Sequence, residues 1–242
     1  FSSSDNISYT PVAVAGTLDN YQPAAAVTSL FYRRRVTSGL CSSESNSIKI
    51  NVLPAITNNV ITPDKSAVCY NTIPGQITGT PLSGGTGSTQ TWLWQDSTSG
   101  AIWADISGSN VQSYSSVTGL TKITWYRRII KSGPYDCCID TSAFKTIDIN
   151  PLPTGTITSV TDTTMCSGSS VSMKVHLTGA PGWTVIFNEN TVKVPVPGIT
   201  SADPVIKLTP LAAGPSTVIN YSLASVEDQN GCIATSLTGA RK

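Results

Sequence analysis

The sequence predicts an all-β protein made of sandwich modules set end to end as a rod. Three observations predict it. The first is a phrase that occurs twice. Trp125-Tyr126-Arg127-Arg128-Ile129-Ile130-Lys131-Ser132-Gly133 precedes Cys137 and Cys138, and Phe31-Tyr32-Arg33-Arg34-Arg35-Val36-Thr37-Ser38-Gly39 precedes Cys41. Each copy is followed by a β-run ending in proline, Ile48–Pro54 and Ile147–Pro153. The period is just under one hundred residues (about the size of one sandwich) and so marks an array of modules. The second observation is composition: β-branched Val, Ile and Thr carry the apolar runs, with Ser, Gly, Pro and Asn between them, as in short strands separated by turns. The third is the spacing of those turns, roughly ten residues apart.

Residues 1–53 are read as the later part of a truncated module, 54–152 as a complete module and 153–242 as a divergent one. In the first, Asn20-Tyr21-Gln22 aligns with Ser113-Tyr114-Ser115, and both lead into the aromatic–arginine strand. Because its first residues already lie inside a module, the chain is expected to be a fragment of a longer one.

In the complete module Val60-Ile61 opens the first strand and Val68-Cys69-Tyr70 the second. Gly79-Thr80-Pro81 and Gly84-Gly85-Thr86-Gly87 are turns. Thr91-Trp92-Leu93-Trp94-Gln95 alternates with a period of two, as a half-buried strand does. Asp96–Gly100 is a turn, and Ile102–Ile106 is a further strand. Tyr114 and the Tyr126 strand complete an immunoglobulin-like pattern with a central tryptophan, a late tyrosine and cysteines. In the third module Met165-Cys166 stands where Val68-Cys69 stood, and Trp183–Phe187 is the tryptophan strand. Ile219–Leu223 replaces the aromatic–arginine strand, Asp228–Gly231 turns a hairpin before Cys232, and Leu237–Ala240 starts the last strand. Prolines 54, 151 and 153 stiffen the junctions.

Only 12% of residues are charged and the formal net charge is +1. No broad field draws the chain to nucleic acid or acidic lipid. No apolar run approaches the ~18 residues of a membrane span, so direct membrane insertion is not expected.

Six cysteines stand at 41, 69, 137, 138, 166 and 232. Two schemes match the repeat. Across junctions, Cys41 joins Cys69 and Cys138 joins Cys166, at equal separations. Within modules, Cys69 joins Cys137 or Cys138, and Cys166 joins Cys232. If Cys69 and Cys166 open second strands while Cys137, Cys138 and Cys232 close sixth strands, the intramodule pairs meet at one pole. The cross-junction pairs are then parted by two whole strands, tens of ångströms at ~3.3 Å per residue, against a Cα limit near ~7 Å. The intramodule scheme is the expectation, with Cys41 paired upstream. Disulfides imply an extracytoplasmic compartment.

The pattern Tyr126-Arg127-Arg128, Ser132-Gly133 and Cys138, preceded by Trp94-Gln95-Asp96-Ser97 and Trp103-Ala104-Asp105-Ile106, resembles the immunoglobulin-like or PKD-like repeats of very large Bacteroidota surface proteins. Gly179–Val185 and Asp228–Cys232 resemble a second repeat type that follows the first in such proteins. Gliding-motility adhesins exported by the type IX secretion system are among them. The resemblance covers nearly the whole chain. It implies a stalk segment on the surface of a Gram-negative bacterium, with neighbouring repeats of the same chain as partners. Surface polysaccharide or other cell-surface proteins are further candidate partners. The doubled Cys137-Cys138 departs from the single Cys41, leaving open which sulfur bridges. Ser97 and Thr163 lie in Asp-Ser/Thr-x phrases like those that this bacterial group O-glycosylates.

Catalysis is not expected. His176, the only histidine, lies in an alternating strand and gives a Ser-His or Cys-His relay little to work with. A carboxylate pair such as Asp96 and Asp105 falls at ordinary turn and strand-edge positions. Arg127 and Arg128, with Trp92, Trp94, Trp103 and Trp125, are the candidates for a glycan-stacking face. Against that, a sandwich core needs aromatics, so at least two of the four tryptophans should be buried, and one arginine should stack on a ring with its fellow in solvent. No cofactor is expected. Asp228 and Asn230 begin a calcium-loop spacing without its distal glutamate, and a plain Asn-Gly turn is the simpler reading.

Overall fold

The computed structural model describes residues 1–12, 20–86, 90–159, 161–211 and 217–242. Among them the regular elements are strands apart from one 3-10 turn, Pro134–Asp136. The turn expected over 84–87 has its last residue outside the described residues.

The middle module is organised by Thr124–Ser132, whose side chains alternate strictly. Thr124, Tyr126, Arg128, Ile130 and Ser132 are buried, and Trp125, Arg127, Ile129 and Lys131 are half-buried on the other face. The strand pairs antiparallel with Gln90–Ser97 along its length, and with Lys145–Asn150 and Cys138–Thr141 on its other edge. The opposing layer holds Tyr114–Ser115, Gln76–Gly79 and Ile61–Pro63 in that order. Between the layers lies a core of Ile61, Val68, Ile77, Trp94, Leu120, Tyr126 and Ile147.

Arg128 is wholly buried. A buried guanidinium is tolerable only if its donors find acceptors. Here Nε donates to Asn59 Oδ1 at 2.9 Å, Nη1 to the Gln112 carbonyl at 2.7 Å and Nη2 to the Thr80 carbonyl at 3.2 Å. Its backbone N–H donates to Ser142 Oγ. The side chain thus ties the first strand's entry, the end of the second strand and the loop before Tyr114 to the central strand. Burial pulls its pKa below the usual range, and the Asp140 charge pulls back. Gly79 makes room for it: a Cβ there would lie 1.9 Å from Nη1 and 2.1 Å from the Gln112 carbonyl.

The sequence reading placed Cys69 at the head of the second strand. Instead Ala67–Cys69 has crossed to the other layer, where it pairs parallel with Lys145–Asn150 and sets Cys69 opposite Asn150. The second strand proper is Gln76–Gly79, paired with Ile61–Pro63. Ile102–Ile106 shortens to Ala104–Asp105, and Ser97 ends a strand instead of lying in a turn.

The third module packs two four-stranded sheets. One orders Val205–Leu208, Val171–Leu177, Thr154–Ile157 and Ser236–Thr238; the other orders Val192–Ile199, Trp183–Glu189, Tyr221–Glu227 and Ala240–Arg241. Met173, Val175, Leu177, Trp183, Val185, Phe187 and Val226 fill its core. In residues 1–53, Leu30–Tyr32 pairs with Ser2–Ser3 and Ile48–Ile50, while Arg35–Ser38 and Cys41–Glu44 form an exposed hairpin. Arg34 and Ser45 exchange the same pair of hydrogen bonds as Arg128 and Ser142, so the repeated phrase is a repeated structure. Among the described residues, each sheet is confined to one of the three segments.

Replacing Gly79 by alanine must expel the guanidinium from its acceptors. Gly79→Ala should cost the middle module about 3 kcal/mol or more, read as a lowered urea midpoint. An unchanged midpoint would show that Arg128 does not lock the layers.

Candidate functional site

The junction between the second and third modules is the most distinctive site. Cys69 ends its short strand level with Asn150, the last strand residue before Pro151-Leu152-Pro153. On the far side, Tyr221–Glu227 runs into the Asp228–Gly231 turn, and Cys232 follows, fully buried. The two cysteines form a disulfide across the junction, closing a sequence separation of 163.

This pairing corrects the intramodule scheme on both counts. Cys137, Cys138 and Cys166 are free thiols, as is Cys41. Cys138 is level with Ser132, at the end of the central strand away from Thr124, and Thr124 is level with Ile147. Eleven strand steps therefore part the levels of Cys138 and Cys69. At ~3.3 Å per step that is about 35 Å, far beyond a disulfide's reach of about 7 Å. Cys166 likewise precedes Val171, at the opposite end of Val171–Leu177 from the Thr178-Gly179 corner that meets Pro153 and Asp228. The premise that opening and closing cysteines share a pole fails on strand direction: Ala67–Cys69 runs parallel to Lys145–Asn150 and so antiparallel to Thr124–Ser132, which puts Cys69 at the pole where the central strand begins and Cys138 at the pole where it ends.

Asp228 builds the receiving hairpin. Its Oδ1 accepts the Asn230 and Cys232 N–H groups, each at 3.0 Å, and its Oδ2 accepts the Ala180 N–H at 3.0 Å. A carboxylate aimed at three N–H donors serves as a turn cap, so Asp228 and Asn230 do not form the calcium site considered from the sequence. Beside the disulfide lies a cleft of about 850 Å³, with Tyr70, Asn150 and Leu152 on one wall and Asn230 and Ile233 on the other.

The aromatic–arginine stripe divides between the interior and one outer face. Trp94 and Arg128 are both fully buried, and the Trp94 indole N–H donates to the Val111 carbonyl. Neither faces a ligand, which corrects two candidates. Arg127 lies on the other face, its guanidinium 4.2 Å from the Trp103 ring centroid and its Nε donating to Gln95 Oε1 at 2.7 Å. Phe144 adjoins Trp103 with centroids 6.5 Å apart. Trp92, Trp103 and Trp125 are all half-buried, and the Trp92 indole N–H is buried without a partner. Trp94 alone of the four tryptophans is buried, one fewer than expected, because the central strand turns Trp125 to the outer side, where Arg127 also holds Trp103. Arg128 is enclosed between the layers instead of standing in solvent beside the stacked Arg127. None of the four tryptophans is exposed, so no platform of coplanar, open indoles exists for a sugar.

Ser97 is buried, and its hydroxyl accepts the Ser99 and Gly100 N–H groups. It caps a turn and is not open to glycosylation. Thr163 is exposed, but its hydroxyl accepts from Arg241. His176 pairs with Asp203 at 2.7 Å on an open face. Among the described residues no three His, Cys, Asp or Glu side chains gather as a metal would require.

Solved structures that resemble the chain are tandem arrays. The fibronectin(III)-like modules of Clostridium thermocellum CbhA match at a TM-score of 0.37 and 11% identity, over 74% of this chain and 93% of that one. Chicken CNTN1 FN1–FN3 domains match at 0.38 and 15%, over 88% and 74%. A 1.5-MDa bacterial ice-binding adhesin matches at 0.37 and 12%, over 89% and 73%. No curated protein sequence matches. One family, described as a domain of unknown function (DUF8696), matches twice, over residues 1–54 and 57–151.

The two tryptophan environments predict different costs. Trp94→Ala empties a core and should cost about 3–5 kcal/mol, whereas Trp103→Ala loses one surface stack and should cost about 1 kcal/mol. Denaturant titration of the two variants separates them; equal losses would contradict the assignment of interior and surface.

Proposed function

We propose that this chain, which belongs to the DUF8696 family and matches it over residues 1–54 and 57–151, is a load-bearing stalk segment of a large secreted cell-surface adhesin. The observation that carries this reading is the disulfide between adjoining modules. A bond from Cys69 to Cys232 offers tension a covalent route around most of two sandwiches. A binding module or an enzyme has no such need of its spacer. Proline-stiffened connectors and the repeated structure support the same reading, and the disulfide supports a location outside the cytoplasm.

The finer assignment rests on the sequence phrases. Their resemblance to repeats of Bacteroidota adhesins supports a Gram-negative cell surface, export by type IX secretion and a part in gliding motility. In this reading the segment's partners are neighbouring repeats of the same chain, and the contact with polysaccharide or another cell surface is made elsewhere along it.

Pulling a single molecule by its ends tests the load path. With the disulfide intact, full unfolding should leave the 163-residue span unextended. Reductant should release about 550 Å of further contour length. The same extension in both conditions would remove the covalent load path and, with it, the basis of the stalk reading.

A further inference from the structure

The Cys69–Cys232 disulfide joins two positions that recur in the chain. Cys69 opens a turn in which the Thr72 N–H donates to the Cys69 carbonyl and Asn71 adopts positive φ. Cys166 opens the same turn one module later: the Ser169 N–H donates to its carbonyl and Gly168 adopts positive φ. Both turns also lie beside the chain that ends their module, in different registers: Tyr70 N–H, one residue after Cys69, donates to the Asn150 carbonyl, and Thr163 N–H, three residues before Cys166, donates to the Lys242 carbonyl.

The other half also repeats. Cys232 faces Asp228 across its hairpin, and Ile233 bridges Glu227. In the middle module Cys138 faces Ser132 and Ile139 faces Lys131. The following residues match, Cys138-Ile139-Asp140-Thr141-Ser142 against Cys232-Ile233-Ala234-Thr235-Ser236. Cys41, facing Ser38, holds that position in residues 1–53. The doubled cysteine is thereby resolved: Cys138 occupies the hairpin position, while the Cys137 Sγ–H turns back to the Ser132 carbonyl at 3.8 Å.

We infer that Cys69–Cys232 is one rung of a repeating ladder, in which the turn cysteine of each module bridges to the hairpin cysteine of the module that follows it. Cys166 is the turn half of the next rung. Cys138 and Cys41 are hairpin halves that take turn cysteines from preceding modules. The pole that carries Cys166 is shaped as a receptor. A cavity of about 920 Å³ opens there, lined in part by Cys166, Met165, Leu211 and Val218. Leu211 and Val218 are 64% and 65% exposed, apolar surface that the hairpin of a following module would cover. Each rung forms by thiol–disulfide exchange with a disulfide oxidant of the extracytoplasmic space. One thiolate attacks the oxidant's disulfide and the second displaces the mixed intermediate. The two cysteines lose two protons and two electrons, and the oxidant leaves as two thiols.

The ladder rests on the array reading but is tested apart from it. A second copy of residues 151–242, a segment with its own core, is appended after Lys242, and free thiols are counted in the oxidised, denatured product. A rung from Cys166 to the copy's hairpin cysteine keeps the count at the four of the present chain, and Cys166→Ser raises it by one. A count two higher, or a bridge mapped to any other cysteine, overturns the ladder. Non-reducing peptide mapping of the natural full-length protein gives an independent reading. The Cys166 peptide should emerge joined to a peptide of the Cys-Ile-x-Thr-Ser type; recovered as a free thiol, or joined to Cys232, it refutes the assignment. A full-length protein without further modules would defeat the array reading, and the thiol count would still decide the rung.

Discussion

The disulfide from Cys69 to Cys232 is the constraint on which the relation between modules depends. Each sandwich has its own reasons to fold: alternating strands, a buried tryptophan and a closed set of pairings. Among the described residues the strands of one do not pair with those of the next. The second and third modules are joined by a short proline-bearing connector and by one covalent bond placed at its side. Two attachments at one junction restrict bending about the connector in a way that one alone does not. The bond is possible because the chain sends Ala67–Cys69 across to the sheet that leads into the connector, so its sulfur arrives beside the next module's Asp228–Gly231 hairpin. A stabilisation on the order of 4 kcal/mol is expected for closing so long a loop.

The two better-filled sandwiches secure their interiors by different means. In the middle module a buried arginine spreads its donors over an amide and two carbonyls, and a glycine leaves the space it needs. In the third module the buried ionic groups are carboxylates: Asp228, which caps its turn, and Glu189, which accepts from the Tyr221 hydroxyl and the Leu211 N–H. Burial, with Glu189 beside it, raises the Tyr221 pKa and keeps the phenol a donor. The divergence of the third module is thus more than a loss of arginines. A cation reaching across layers stands in one and an anion held at a strand end in the other, and the sandwich survives both solutions because the Arg128 nitrogens and the Glu189 carboxylate oxygens each have a partner.

Much of this was legible in the sequence. The alternation of Thr124–Ser132 declares a strand with one face in and one out, and the repeated phrase declares a repeated module. Burial of Trp94 and stacking of Arg127 on Trp103 follow from what a sandwich core and a surface guanidinium ordinarily do. The pairing of cysteines was not legible. It turns on a three-residue strand whose change of layer has no periodicity to announce it, and on its direction, antiparallel to the central strand, which sets Cys69 and Cys138 at opposite poles. Ser97 and Asp228 misled for a related reason. A hydroxyl and a carboxylate in turn sequences look available, yet both are consumed by backbone N–H groups that the turn itself leaves unpaired. The match of Cys138–Ser142 with Cys232–Ser236 was present throughout, and it gains meaning only once one member of the pair is seen bonded.

The most direct measurement is proteolysis of the oxidised 242-residue chain under acidic, non-reducing conditions after alkylation of free thiols, with the linked peptides identified by mass. The account predicts the Cys69 peptide joined to the Cys232 peptide, with Cys137, Cys138 and Cys166 alkylated. A peptide joining Cys69 to Cys137 or Cys138, or Cys166 to Cys232, would return each disulfide to a single sandwich and leave the junction without its clamp.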